Sequence, residues 1–289
     1  MAKRVASDPR AACRGGKQAD SAWRKARREG GGVSEIEFLG LGVGIGEAVR
    51  TIAVERRGGA APGIFWLGGY KSDMTGGKAM ALDRFGAKRG LAVTRFDYSG
   101  HGRSGGEFLE GTIGRWLEEA LAAFALTDGP QIVVGSSMGG WLALLLNRAL
   151  RNAGVFRVKA LVLVAPAVDM TEDLMRKTFT KEEVRSLTER GIVEQPSGYS
   201  QEPYAITRAL IEDGEKHLLF GKGIETGCPV TILQGGRDGD VPQEHALKLV
   251  AHLLHDPVTL TLIPDGDHRL NRDEDLQRLE AAVERAMEE

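Results

Sequence analysis

The sequence predicts an α/β fold: a mostly parallel, doubly wound sheet with a helical insertion over one end. Three observations carry that prediction. From Val33 onward, short β-branched or aromatic runs alternate with helix-like stretches. Most of the runs are continuously apolar, as in strands covered on both faces. One connection, about residues 168–226, is far longer than a crossover requires.

Taken in chain order, residues 1–32 stand apart. They hold nine Lys/Arg against three Asp/Glu, show no apolar periodicity and end in three glycines. The expectation is a disordered basic tail outside the fold, with an organelle-targeting peptide or a nucleic-acid-binding arm as the functional alternatives. The stretch LGLGVGIGEAV lacks a correctly spaced GxGxxG and leads into a period-two strand, so no helix N-terminus is offered to a pyrophosphate. EAVRTIAVERR alternates as a half-exposed edge strand would. GIFWLG, LAVTRFDY, QIVVG, KALVLVAP, PVTILQG and VTLTLIPD follow as strands, each bounded by Gly, Pro or Asp.

Between the strands lie helical stretches beginning near Ser72, Thr112, Ser137, Pro242 and Asp273. Gly90 after Lys88 and Arg89, and Gly154 after Arg151 and Asn152, read as stops. GGK at Gly76–Lys78 fails as a phosphate loop, because Ser72 stands where its first glycine belongs and Ala79 where the magnesium-binding hydroxyl belongs. Within the long connection, Thr180 and Glu183 form a capping box and Gly191 a C-terminal stop, so the insertion is ordered. The organisation is therefore a tail over 1–32, a core over 33–167 and 227–289, and a cap over 168–226.

Composition removes several function classes. Outside the tail, 29 Lys/Arg face 37 Asp/Glu, a body too acidic for nucleic acid. Two cysteines, Cys13 and Cys228, make no disulfide framework and fit a reducing compartment. No apolar run reaches the roughly 18 residues of a membrane span, and no signal-peptide core follows the start. The expectation is a cytoplasmic protein with no cofactor, no metal, no nucleic-acid partner and no stable membrane insertion.

GxSxG occurs twice, around Ser104 and around Ser137. Only Ser137 is preceded directly by a strand, QIVVG, and followed directly by a helix, MGGWLALLLNRAL, as a nucleophile elbow requires. A reactive serine needs a base, and the base a carboxylate that orients it. Of six histidines, His101 precedes Ser137, His217 lies in the insertion, and His245, His252 and His255 share one helical pattern. His268 follows a strand-like run near the C-terminus and is the candidate base. Asp238, in the loop after PVTILQG, is the candidate acid; Asp240 reads better as a helix cap. The oxyanion hole is expected from the backbone N–H groups of Tyr70, after Gly68 and Gly69, and of Met138, beside the nucleophile. Leu174, Met175, Phe179, Ile192, Tyr199 and Tyr204 of the insertion are candidates for the wall of an apolar acyl pocket.

GYKSDMTGGKA, RFDYSGHGRSGG, GPQIVVGSSMGGW, QPSGYS, EKHLL, GRDGDVP and GDHR occur in that order. With these stretches the chain resembles the α/β-hydrolase superfamily over about residues 33–289, and within it the small acyl-protein thioesterases. The resemblance implies a Ser137, Asp238 and His268 triad, in agreement with the residue-level reading, and makes RFDYSGHGRSGG a structural loop, so that Ser104 and His101 are not catalytic. It further implies cofactor-free cleavage of acyl thioesters or carboxylic esters through an acyl-enzyme, with a peptidase or C–C bond hydrolase as the alternative on the same triad. Such enzymes of animals are mitochondrial, which gives the alternative address. Gly68, where many such hydrolases carry His, is a departure in the oxyanion loop.

Overall fold

The computed structural model describes residues 36–44, 49–196 and 203–288. Eight strands form one sheet: β1 (Ile36–Val43), β2 (Arg50–Arg57), β3 (Ala60–Leu67), β4 (Leu91–Phe96), β5 (Gln131–Ser136), β6 (Val158–Val164), β9 (Val230–Gly235) and β10 (Val258–Ile263). Their spatial order is β1-β2-β4-β3-β5-β6-β9-β10. β2 runs antiparallel to both β1 and β4, and every pairing from β4 to β10 is parallel. A sheet of this kind needs cover on both faces, and the strands supply side chains to each in turn.

Phe65, Leu67, Val133, Leu161 and Leu163 point to one face, where they meet Trp116 of α2 (Ile113–Phe124) and Trp141 and Leu145 of α3 (Met138–Asn152). Ile64, Trp66, Ile132, Val134 and Val162 point to the other. There they meet Leu82 and Phe85 of α1 (Gly77–Arg89) and Leu279 and Val283 of α7 (Asp273–Glu288). Gly90 ends α1 in the left-handed conformation at φ 68°, as expected.

The first strands correct the sequence reading. EAVRTIAVERR is not an edge: β2 lies second in the sheet, and β1, drawn from the glycine-bearing IEFLGLGV, pairs outside it. Two of the polar positions that suggested a wet face, Glu55 and Arg57, are buried in ion pairs. Arg57 Nε and Nη2 donate to Asp83 at 3.0 and 2.7 Å, and Arg95 bridges to Glu55 at 2.8 Å. Burial pushes the Glu55 carboxyl up, the ordinary consequence of moving a carboxylate out of water.

The long connection carries α4 (Lys181–Arg190) and α5 (Arg208–Gly214), and also a small antiparallel sheet of β7 (Ile192–Gln195) with β8 (Tyr204–Thr207), which its sequence did not announce. The capping box is present in both directions: Thr180 Oγ1 accepts from Glu183 N–H, and Glu183 accepts from Thr180 N–H. Gly191 closes α4 at φ 77°. The connection is fastened to the core by Asp213, whose carboxylate accepts the Gly114 N–H at the start of α2 at 2.7 Å. α6 (Gln243–His252) is shorter than its pattern predicted, so His255 falls beyond its end. The predicted tail, residues 1–32, lies outside the described residues.

Candidate active site

Ser137 sits where β5 gives way to α3, with φ 54° and ψ −120°. A non-glycine residue held at positive φ costs of order 1–3 kcal/mol, so the surrounding structure must fix it. Its N–H donates to Val164 O at 2.9 Å, and its carbonyl accepts from Gly140 and Ala167 N–H at 2.8 and 3.1 Å. The crowding is severe. A Cβ on Gly139 would lie 2.1 Å from Leu67 O, and one on Gly135 would lie 2.2 Å from Gly139 O. Glycine at these two positions is a steric requirement of the turn.

His268 stands in the loop after β10 and brings the three predicted side chains together. Its Nε2 lies 3.1 Å from Ser137 Oγ, and its Nδ1 lies 2.8 Å from Asp238 Oδ2. Because a buried carboxylate accepts only, Nδ1 carries the proton and Nε2 is left to accept from the serine hydroxyl. Asp238 has no exposed side-chain surface, whereas His268 keeps 15%. The Asp238 carboxylate is held by four donors: His268 Nδ1, the N–H groups of Asp240 and Val241 at 3.0 and 2.8 Å, and Gln234 Nε2 at 3.2 Å. Asp240 does not cap the following helix, since Pro242 occupies that position; the Asp240 backbone serves Asp238 instead.

Gln234 is a contributor the sequence reading missed. It is fully buried at the end of β9, and its amide also donates to Val241 O at 2.9 Å, fastening the acid loop back on its own strand. The available signal was an amide in the otherwise apolar run VTILQG. A second contributor is Lys78, whose ammonium donates to Arg269 O, directly after His268. Burial draws that ammonium down to about 8.

The Gly68–Gly69 turn lies against Ser137. A Cβ on Gly69 would be 3.3 Å from both Ser136 O and Ser137 Cβ. The N–H of Met138, at the first position of α3, is one that helix geometry leaves without an intrahelical acceptor. The Tyr70 side chain is half-buried, and its hydroxyl donates to Ala205 O on β8 at 2.7 Å.

The remaining candidates are engaged elsewhere. Ser104 Oγ donates to Asp97 O at 2.6 Å and accepts the Ala53 N–H at 2.9 Å. His245 is buried; its Nε2 contacts Val168 O at 2.9 Å, and burial lowers its pKa. His217 lies near Asp213 and is lowered by burial too.

Leu174, Met175 and Phe179 pack half-buried against the core, and Tyr204 lies beside Tyr70 with ring centroids 5.9 Å apart. Tyr199 is outside the described residues. A cavity of about 510 Å³ is lined by residues including Lys71, Asp73, His101, Phe108 and Glu194. None of the described acyl-wall candidates lines it.

A family model described as Serine aminopeptidase, S33, matches residues 77–208. The bovine (Bos taurus) protein named palmitoyl-protein thioesterase ABHD10, mitochondrial, is 37% identical over 233 residues, covering 79% of this chain and 74% of its own. The chain belongs to the α/β-hydrolase family. This hydrolase also superposes on the crystal structure of a putative hydrolase from Agrobacterium vitis S4 with a TM-score of 0.85 and 49% identity, covering 87% of this chain and 99% of that one. On alpha/beta hydrolase domain-containing protein 10 from mouse it superposes with a TM-score of 0.77 and 32% identity, over 89% and 99% of the two chains. Among the described residues of the hydrolase, no helix is long and apolar enough to cross a membrane.

Proposed function

We propose that the hydrolase cleaves acyl thioesters or carboxylic esters by nucleophilic catalysis at Ser137, with His268 as base and Asp238 as the acid that orients it. The observation that carries the reading is the continuous chain of two hydrogen bonds from Ser137 Oγ through His268 to Asp238. The name of the bovine relative, a palmitoyl-protein thioesterase, supplies the substrate class.

Ser137 Oγ attacks the acyl carbonyl while Nε2 of His268 takes its proton. The imidazolium that forms is stabilised by Asp238, whose other donors hold the carboxylate in place. Negative charge develops on the former carbonyl oxygen, against the N–H groups of Tyr70 and Met138. His268 then returns the proton to the departing thiolate or alkoxide. The acyl-enzyme left behind is hydrolysed by a water that the same imidazole deprotonates. This chemistry needs no cofactor.

The insertion over about 168–226 acts as a cap in this reading, and the apolar Leu174, Met175, Phe179, Ile192 and Tyr204 face the acyl chain. The compartment is read as the cytoplasm, with mitochondria, the address in the bovine relative's name, as the alternative; a fluorescent fusion of residues 1–32 found in mitochondria decides for the latter.

Labelling with a fluorophosphonate tests the nucleophile: wild type labels and Ser137→Ala does not. Equal labelling of the two removes Ser137 from the role. The peptidase alternative draws on the family model's description, Serine aminopeptidase. Turnover of palmitoyl thioesters and p-nitrophenyl esters with no cleavage of prolyl amides supports the esterase reading, and the reverse order favours the peptidase.

A further inference from the structure

We infer that His101 is a positioning residue for the oxyanion hole: its ring holds the Lys71 N–H and thereby fixes the turn that aims the Tyr70 N–H at the reacting carbonyl. The inference rests on the assignment of Tyr70 N–H as an oxyanion donor.

The turn itself raises the question of what holds it. Ser72 N–H donates to Gly69 O at 3.1 Å, closing a four-residue turn with Tyr70 and Lys71 at its centre. Lys71 has φ 55°, a left-handed conformation at a position where glycine or asparagine is the usual occupant. A lysine there persists only when its surroundings over-determine it. Two kinds of contact do so. On the insertion side, Tyr70 Oη donates to Ala205 O and Lys71 Nζ donates to Pro203 O at 3.1 Å. On the core side, the Lys71 N–H donates to His101 Nε2 at 3.2 Å.

The imidazole is built to receive that bond. Its Nδ1 lies 3.1 Å from Ser99 O, a group that only accepts, so the proton sits on Nδ1 and Nε2 presents a lone pair to Lys71. The ring is 4% exposed and enclosed by Tyr98, Phe108 and Trp116, with centroids at 5.7, 5.1 and 5.3 Å. This surround disfavours the charged form and lowers the pKa to about 4, so His101 stays an acceptor at neutral pH. A protonated ring would turn a second donor on the Lys71 N–H.

The test compares three substitutions with distinct hydrogen-bonding capacity. His101→Gln sets an amide oxygen near the former Nε2 and keeps the acceptor. His101→Asn keeps a donor for Ser99 O and loses the acceptor; His101→Phe keeps only the ring. Gln is expected to hold kcat within about threefold of wild type, because the Lys71 N–H stays bonded. Asn and Phe should lose roughly 10- to 100-fold in kcat with KM little changed, as expected for a misdirected oxyanion donor. Hydrogen exchange at the Lys71 amide should quicken in Asn and Phe but not in Gln. Folded Asn and Phe variants with wild-type kcat overturn the inference, as does Asn performing as well as Gln.

Replacing Tyr70 by its α-hydroxy analogue, which turns the N–H into an ester oxygen, separates this from the underlying assignment. Loss of activity there with full activity in His101→Phe sinks only the role of His101. Full activity of the ester protein sinks the Tyr70 assignment, and the inference with it.

Discussion

The two GxSxG loops carry the same five-residue pattern and do opposite work. At Ser137 the backbone is forced to φ 54°, its own N–H and carbonyl are tied to β6 and the chain beyond it, and Oγ is left facing an imidazole. At Ser104 the hydroxyl is consumed: it joins Asp97 O to the Ala53 N–H and so stitches the loop after β4 onto β2. Each serine also has a histidine in its neighbourhood. His268 has one nitrogen on a buried carboxylate and the other on the serine, whereas His101 has both nitrogens spent on backbone. A motif names residue types; whether a hydroxyl reacts depends on what its two hydrogen-bonding capacities are already doing.

The comparison breaks most sharply at the serines. Ser137→Ala is expected to lower kcat by roughly 10⁴-fold or more, as for loss of the nucleophile from a cooperative unit, while Ser104→Ala keeps fluorophosphonate labelling. Asp238→Asn comes next, with a loss of about 10³- to 10⁴-fold in kcat, because an amide opposite Nδ1 favours the wrong tautomer of His268. Steady-state turnover of a palmitoyl thioester measures both.

The histidines separate by acid titration. Burial lowers His101 to about 4 from 6.5, so between those values the unfolded chain takes up a proton that the folded chain refuses. Stability therefore falls as pH drops from about 6.5 to about 4, by up to about 3 kcal/mol from this group. His217 and His245 pull the same way, and the raised carboxyls of Glu55 and Asp97 pull against them. Urea melts of wild type and His101→Gln at pH 7 and 4.5 isolate the His101 share: the variant should lose less on acidification. The smallest effect belongs to the bracing serine. Ser104→Ala should cost about 1–2 kcal/mol in the same melts, the usual result of leaving a buried donor or acceptor unpaired.

How much of this was legible follows from how local the signals are. The parallel strands and the elbow could be read because burial on both faces writes a continuous apolar run, and a strand followed directly by a helix writes its own turn. The candidates Asp238 and His268 could be picked out for the same reason, since each follows a recognisable strand. β1 was missed because Gly40 and Gly42 dilute its pattern, and its pairing with β2 is what makes it a strand. Glu55 and Arg57 misled because a polar residue in a period-two run looks solvated until its partners, Arg95 and Asp83, arrive from other elements. β7 and β8, four residues each, are too short to carry a period. The services of Gln234 and His101 are hydrogen bonds across loops, and residue spacing holds no trace of them.

The clearance around the elbow has a consequence for anyone who sets out to evolve this hydrolase. With carbonyl oxygens about 2 Å from where a methyl group on residue 135 or 139 would sit, those two codons are closed to variation, however strongly a new substrate is selected. Libraries that randomise them should return glycine alone, and adaptation must enter through the rim.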